Sequence, residues 1–203
     1  MAEEKKITIE IIRKKDAEDF TKSLADPDSR AETGSGTAMT AAIAAAFLLR
    51  AAEAEELTEE NRERLEYLRR NAEIMRKYMV QLIDEDVKCR GPLRRAKKEG
   101  DDRKIEAASQ SASVICAEIA AMMGKCLELI ESMTELAGED QRHWLCESAE
   151  LAMAAIKASM RYCINWGDKS SDETLRYVVR RENELQLQEY TKTYASVLKQ
   201  LAL

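Results

Sequence analysis

Apolar residues recur at spacings of three and four along most of the chain, which is the pattern of helices that bury one face. The pattern predicts a short helix that Asp16 caps and Pro27 ends, then an alanine-rich helix over 37–57. A long helix follows, with Thr58 as its cap. Its predicted buried seam consists of Leu65, Leu68, Ala72, Met75, Met79 and Leu82.

The helical pattern continues through the second half of the chain. A glycine–proline pair at 91–92 breaks or kinks the long helix, and a turn at 100–102 restarts the chain. Three more helices are predicted: one that Gly138 closes, one from about 140 to 164, and a last one from about 172. The segment 7–12 alternates briefly and predicts a strand or the start of a helix. Because no linker divides the chain, we expect one all-α domain over 1–203, a bundle of five to six long helices.

The composition narrows the classes of function. Only 7 glycines and 2 prolines accompany 34% charged residues, which favours helix over a turn-rich sheet protein. A net charge of −6 makes the chain a poor general binder of nucleic acid, so we expect no nucleic-acid partner. We also expect no apolar run as long as a membrane span and no secretory signal, and therefore a cytoplasmic protein.

Cysteine and histidine offer little for a metal site. The 5 cysteines are widely spaced without a C-x-x-C pair, so we expect reduced, mostly buried thiols, and with a single histidine we expect no metal. His143 begins a predicted helix, whose dipole favours the neutral imidazole that suits proton transfer. Cys146 shares its helical face and is a possible thiolate partner. An ordinary surface histidine is the alternative.

The segment before the alanine-rich helix is the most informative one in the chain, and it consists of Gly34, Ser35, Gly36 and Thr37. Two glycines allow positive φ angles and leave room beside the backbone. A hydroxyl of Ser35 or Thr37 can then cap the helix, whose N-terminus suits an anionic or carbonyl-bearing ligand. The alternative is an ordinary glycine-containing turn.

Charged residues cluster around the end of the long helix. Asp84 and Asp86 are two residues apart and point to different faces, so that only one of them can face a pocket, as a general base. The alternative is a solvated acidic face. A basic run follows, and it predicts a solvated helix end or a site for a polyanionic substrate tail, made of Lys88, Arg90, Arg94, Arg95, Lys97 and Lys98.

Four stretches resemble, in order, the formimidoyltetrahydrofolate cyclodeaminase and methenyltetrahydrofolate cyclohydrolase family. Residues 19–25 are similar to its opening helix, and 34–42 to its glycine-rich segment before a run of alanines. Residues 82–86 resemble its L-I-D-x-D segment, and 158–166 resemble a helix end that closes with an asparagine, here Asn165. The resemblance covers about 16–168.

The resemblance implies a helical homodimer with a folate cleft. It implies either loss of ammonia from 5-formimidoyltetrahydrofolate or hydrolysis of 5,10-methenyltetrahydrofolate to 10-formyltetrahydrofolate. The substrate is then a tetrahydrofolate derivative, with Asp84 or Asp86 as the acidic group. Asn165 and the segment 34–37 would contact the ligand, and His143 is this sequence's own candidate for proton transfer.

The sequence also departs from the family pattern. Thr33 and Ser35 stand where the family has a proline and a glycine, Arg161 replaces an asparagine, and the N-x-x-S-D element has no counterpart. These departures support a second hypothesis, a non-catalytic bundle that acts as an assembly or regulatory partner, with a helical extension over about 172–202.

Overall fold

A computed structural model describes residues 11–201 of the chain. Within that range it contains a short 3₁₀ turn at Ile12–Lys14 and seven α-helices. These are α1 (Ala17–Ala25), α2 (Thr33–Ala54), α3 (Arg62–Cys89), α4 (Gly91–Glu99), α5 (Asp102–Thr134), α6 (Glu139–Gly167) and α7 (Glu173–Gln200). Five helices are long, from 22 residues in α2 to 33 in α5, so the predicted all-α bundle is confirmed.

Aspartate side chains cap three helices at positions where the sequence predicts a helix start. Asp16, Asp101 and Asp172 precede α1, α5 and α7, and each carboxylate accepts a hydrogen bond from a backbone N–H of its own first turn. Such a cap satisfies one of the N–H groups that a helix start leaves unpaired, and it contributes roughly 1 kcal/mol. Local sequence chemistry therefore sets these three helix starts.

The start of α2 differs from the prediction. The helix begins at Thr33, so the two glycines lie inside its first turns instead of preceding them. Gly100 is the one described glycine with a positive φ, at 69°. The predicted caps are also wrong, because the Thr37 hydroxyl donates to the carbonyl of Thr33 at 2.7 Å and Ser35 bonds to another helix.

Two further boundaries differ. Gly138 was predicted to close α5, but α5 ends at Thr134 and Gly138 is the residue before α6. Thr58 precedes α3 by four residues, and its hydroxyl accepts the N–H of Asn61 at 3.3 Å in the turn that leads into the helix. Of the segment 7–12, only residues 11 and 12 fall within the described range, and Ile12 begins the 3₁₀ turn.

The alanine-rich helix α2 lies at the centre, packed against α3, α5 and α6. Its small side chains let α6 approach closely enough for the buried Ser148 hydroxyl to donate to the carbonyl of Ala44 at 2.8 Å. The Gln141 amide reaches the carbonyl of Ala54 at 3.4 Å, so the first turn of α6 meets the end of α2. The two helices are therefore antiparallel, and the end of α6 lies near the start of α2.

Helix α2 also corrects an expectation about membranes. It is long and apolar enough to span one by length and composition, so the expectation that no apolar run reaches that length is wrong. More than half of the apolar stretch is buried inside the bundle, which is how the central helix of a folded domain packs.

The predicted seam of α3 is confirmed, since all six of its residues are buried in the main hydrophobic core. Helix α7 packs outside on α5 and α6. Its Tyr190 ring fits over Gly124 of α5, where an added Cβ would lie 2.1 Å from the ring. Because Gly124 has no side chain, the Tyr190 ring can pack against α5 and position α7.

Candidate functional site

Asp86 of α3 caps the start of α2 from a neighbouring helix. The residue is fully buried, and its carboxylate accepts hydrogen bonds from the Ser35 N–H at 2.9 Å and the Ser35 hydroxyl at 3.0 Å. Ser35 is the third residue of α2, so its N–H has no partner within its own helix. A negative charge at the positive end of the helix dipole is favourable. Asp86 therefore replaces the local cap that the sequence predicted.

Gly34 is required by this contact. A Cβ added at Gly34 would lie 2.1 Å from Oδ1 of Asp86, far inside van der Waals distance. The space beside Gly34 is consequently occupied by a carboxylate of the protein itself, where the sequence predicted room for a ligand. Gly34 and Ser35 thus face the interior of the bundle.

Arg90 completes a buried ion-pair network. Its side chain is 2% exposed, its Nε donates to Asp86 at 2.7 Å, and it also pairs with Glu32. The guanidinium lies 4.5 Å from the centre of the Tyr162 ring, a cation–π contact. Burial opposes the charge of Arg90, but Asp86, Tyr162 and Glu32 together raise its pKa. The prediction of a solvated helix end for the basic run is wrong for Arg90. We call Glu32, Ser35, Asp86 and Arg90 the Asp86 cluster.

Asp84 has a separate partner. Its carboxylate accepts the backbone N–H of Arg13 at 3.1 Å and pairs with the Arg13 guanidinium at 3.1 Å. The two aspartates therefore face different sides of α3, as predicted, and each already has a partner within the protein. Asp84 fastens the 3₁₀ turn to α3.

A cavity of about 600 Å³ opens on the other side of the start of α2. We call it the α1–α2 cavity. It is an open cavity, bounded by the loop after α1, the first two turns of α2 and the middle of α6. Its lining residues are Leu24, Asp26, Pro27, Ser29, Ala31, Glu32, Thr33, Gly36, Thr37, Thr40, Ala154, Ala155 and Ala158. Of the predicted ligand contacts, Gly36 and Thr37 line this cavity, while Gly34 and Ser35 do not.

The α1–α2 cavity carries negative charge. Its described lining includes the carboxylates of Asp26 and Glu32 and no lysine, arginine or histidine. The hydroxyls of Thr37 and Thr40 donate to carbonyls of their own helix, which leaves their oxygen lone pairs as acceptors. Such a wall suits a ligand that presents N–H donors or positive charge, and three alanines of α6 add apolar lining.

His143 lies away from both features. It is exposed in the first turn of α6, beside the end of α2, whereas the Asp86 cluster lies at the start of α2. The 22 residues of α2 span about 33 Å between these two ends. Burial and the charges of Glu150 and Glu147 raise the pKa of Cys146, the opposite of an activated thiolate. The predicted pairing of His143 with Cys146 is therefore not supported.

Asn165 is exposed near the end of α6 and is not among the described residues that line the α1–α2 cavity. A second cavity, of about 340 Å³, lies between α5, α6 and α7 and includes Cys163 and Trp166. None of the predicted site residues lines it. All five cysteines are free thiols, three of them buried. Among residues 11–201, no three His, Cys, Asp or Glu side chains are grouped to hold a metal ion.

The chain also matches known proteins, in agreement with the helical arrangement described above. A family model described as formiminotransferase-cyclodeaminase matches residues 16–184, most of the chain. The chain belongs to this family. The match continues past residue 168, where the predicted resemblance ended, into α7.

A solved structure supports the fold. The crystal structure of formiminotetrahydrofolate cyclodeaminase from Thermotoga maritima superimposes with a TM-score of 0.86, covering 94% of this chain and 98% of that one. The two sequences are 18% identical, so the likeness shows a shared fold. No curated protein matches the chain.

All four stretches that carry the family resemblance converge at the start of α2, and the first of them, 19–25, supplies Leu24 to the cavity wall. Residues 34–42 and 82–86 meet where Ser35 contacts Asp86. The stretch 158–166 supplies Ala158 to the cavity wall and Tyr162 to Arg90. The sequence did not identify Glu32, because nothing around it marks a site. Arg90 had a readable signal, since it follows Asp86 by four residues, the spacing of a helical ion pair.

Proposed function

We propose that this member of the family is a one-carbon tetrahydrofolate enzyme that binds its substrate in the α1–α2 cavity. The observation that carries the proposal is the family match over 16–184, combined with a cavity that residues of three family-like stretches line, 19–25, 34–42 and 158–166. A volume of about 600 Å³ lies within the usual range for sites that hold a small molecule. The substrate is 5,10-methenyltetrahydrofolate or 5-formimidoyltetrahydrofolate.

The charge of the cavity matches both substrates. The methenyl bridge carries a positive charge, and the formimidoyl group is protonated as an amidinium. In hydrolysis, water adds to the methenyl carbon and loses one proton to give a hydroxyl group. The hydroxyl proton then moves to N5 as the bond from the carbon to N5 breaks, which gives 10-formyltetrahydrofolate. In deamination, N10 adds to the formimidoyl carbon and gives up its proton, the amino group on that carbon receives a proton, and the bond to it breaks to release ammonia. Each reaction needs one group that carries protons, and Asp26 and Glu32 are the carboxylates on this wall.

Asp84 and Asp86, which the sequence predicts as the acidic group of the site, have a structural role in this proposal. Asp86 acts behind the cavity wall, because it fixes the first turn of α2 through Ser35. Asp84 fixes the segment around Arg13. Asn165 and His143 lie outside the cavity, so the proposal assigns them no contact with the substrate.

The proposal includes a homodimer. The outward stripe of α2 continues from the cavity along Ile43, which is 43% exposed, to a shallow groove with Ala46, Phe47 and Arg50. An apolar helix that leaves such a stripe uncovered suits a second copy of this chain. We expect Ile43→Glu to reduce the mass in solution to that of one chain, as measured by light scattering after gel filtration. An unchanged mass would contradict this interface.

The alternative is a non-catalytic bundle that acts as an assembly or regulatory partner. One observation favours it: Asp84 and Asp86 are both held in ion pairs outside the cavity. A buried ion pair of this kind has a structural role in its own right. On this alternative, the α1–α2 cavity has no catalytic role.

Two measurements distinguish the hypotheses. The first follows the decay of methenyltetrahydrofolate absorbance and the release of ammonia from 5-formimidoyltetrahydrofolate, each against the uncatalysed rate. The second is the thermal midpoint with a folate ligand, which must rise if the folded chain binds it. The proposal predicts acceleration of at least one reaction and a raised midpoint. If neither reaction is accelerated and the thermal midpoint is unchanged at millimolar ligand, the proposal is contradicted and the non-catalytic bundle remains.

A further inference from the structure

The two carboxylates of the α1–α2 cavity are held very differently. Glu32 pairs with the buried Arg90 and lies 3.4 Å from Nη1 of Arg94. The Oδ1 atom of Asp26 accepts the backbone N–H of Asp28 at 2.9 Å, and no ion pair is described for it. Glu32 is therefore an oriented charge, whereas Asp26 is part of an exposed turn.

The restraint on Glu32 continues into the core. Arg90 donates to Asp86 and lies over the Tyr162 ring, and these two contacts restrain its guanidinium. Arg94 is fixed in turn by the carbonyl of Val87, to which it donates at 2.8 Å. Two arginines attached to the core thus fix the direction of one carboxylate at the cavity edge.

The Glu32 carboxylate keeps acceptor capacity beyond these two ion pairs. Its side chain is 40% exposed, and a carboxylate has about four lone-pair sites, of which the two arginines use part. Glu32 is one of the residues that line the α1–α2 cavity, and the described lining has no cationic side chain to compete for the remaining sites. A planar pair of N–H donors on one carbon, as in an amidine, is the geometric complement of a carboxylate.

We propose that Glu32 is the specificity-determining residue of the cavity and that it pairs with an amidine-type N–H edge of the bound molecule. This inference rests on the proposed function, because a tetrahydrofolate supplies such an edge. Two parts of the substrate have that chemistry: the aminopyrimidine side of the pterin ring and the formimidoyl group. Either is recognised by the same fixed carboxylate.

The test measures dissociation constants of tetrahydrofolate and 5-formimidoyltetrahydrofolate for the full chain by tryptophan fluorescence. Glu32→Gln keeps the size of the side chain and removes the charge, and we expect binding about 10- to 100-fold weaker. Asp28→Asn is the matched control, with the same loss of charge at an exposed residue of the same loop that is not among the described lining of the cavity, and we expect less than about a threefold effect. Thermal midpoints without ligand verify folding. Glu32→Asp keeps the charge but retracts it, and we expect an intermediate loss.

The outcomes separate the inference from the proposed function. Equal loss for both ligands assigns Glu32 to the ring edge, and loss for the formimidoyl ligand alone assigns it to the one-carbon group; both support the inference. A wild-type chain that binds both ligands, with Glu32→Gln binding no more weakly than Asp28→Asn, overturns the inference and leaves the proposed function. A wild-type chain that binds neither ligand overturns both.

Discussion

The two sides of the first turns of α2 differ sharply. On the inner side, Gly34 and Ser35 are buried against the carboxylate of Asp86, and Arg90 encloses the contact. On the outer side, Gly36 and Thr37 line a cavity of about 600 Å³. Residues two positions apart in one short segment therefore serve different purposes.

The difference shows what a small residue can mean. At Gly34 the missing side chain admits a carboxylate of the protein. At Gly36 an added Cβ would meet only the flexible end of Leu24, at 3.4 Å. The inner side holds the bundle together, and the outer side is available to a ligand.

Breaking the inner side should have the largest effect. We expect Arg90→Met to lower the free energy of unfolding by about 3–5 kcal/mol, because it leaves the buried Asp86 charge without its partner. Urea denaturation measures this change. Lys98→Met, at an exposed position of α4, is the control and should cost under about 0.5 kcal/mol. Equal costs for the two variants would show that the Asp86 cluster is not structural.

The two glycines offer a matched comparison. We expect Gly34→Ala to destabilise the fold by roughly 1–3 kcal/mol, because the new methyl group must displace Asp86. Gly36→Ala should be neutral or stabilising by up to about 1 kcal/mol, since alanine is the better helix former. Urea midpoints of both variants decide the matter. Similar losses at the two positions would mean that the inner and outer sides are packed alike.

The inner side should also become weaker at alkaline pH. Burial, followed by the charge of Asp86, raises the pKa of Cys116 to about 12 from 9.0. Above pH 9 the unfolded thiol loses its proton while the folded one keeps it, so the unfolded state binds fewer protons and stability falls as pH rises toward 12. One pH unit above the unfolded value costs roughly 1.4 kcal/mol.

The variant Cys116→Ala isolates this contribution. It should flatten the fall in the free energy of unfolding between pH 8 and pH 10 by about 1 kcal/mol relative to wild type. Urea titrations at the two pH values provide the measurement. Parallel pH dependence in the two proteins would be evidence that Cys116 is not buried as described.

His143 should have the smallest effect. It is exposed at the far end of α2, so we expect His143→Asn to change stability by less than about 0.5 kcal/mol and to leave folate binding and turnover unchanged. Turnover of methenyltetrahydrofolate is the readout. A large loss of turnover with unchanged stability would restore the histidine to the catalytic site.

Features set by neighbouring residues were predictable, and features set by distant ones were not. The aspartate caps of α1, α5 and α7 and the seam of α3 depend on residues within a few turns. The start of α2 depends on Asp86, which lies 51 residues beyond Ser35. A pattern of hydroxyls and glycines cannot show that a remote carboxylate will take the place of a local cap.

The candidate site was predicted only in part for the same reason. Gly36 and Thr37 line the α1–α2 cavity, and the alternation of Asp84 and Asp86 between two faces is as expected. Glu32 was missed because its role comes from Arg90 and Arg94, which lie 58 and 62 residues further along the chain. His143 was chosen for its chemistry alone, and the packing of α6 places it elsewhere.

Filling the cavity tests the distinction between the two sides most directly. Ala158 is exposed on the cavity wall, so Ala158→Trp fills the cavity without disturbing the Asp86 cluster. The control is Ala121→Trp, at an exposed position of α5. With 5-formyltetrahydrofolate at about 100 times its dissociation constant, binding should stabilise the wild type by about 2.7 kcal/mol and raise its thermal midpoint. We expect the same rise for Ala121→Trp and none for Ala158→Trp, while the midpoints without ligand stay alike. A full ligand-induced rise in Ala158→Trp would contradict the assignment of the ligand to this cavity.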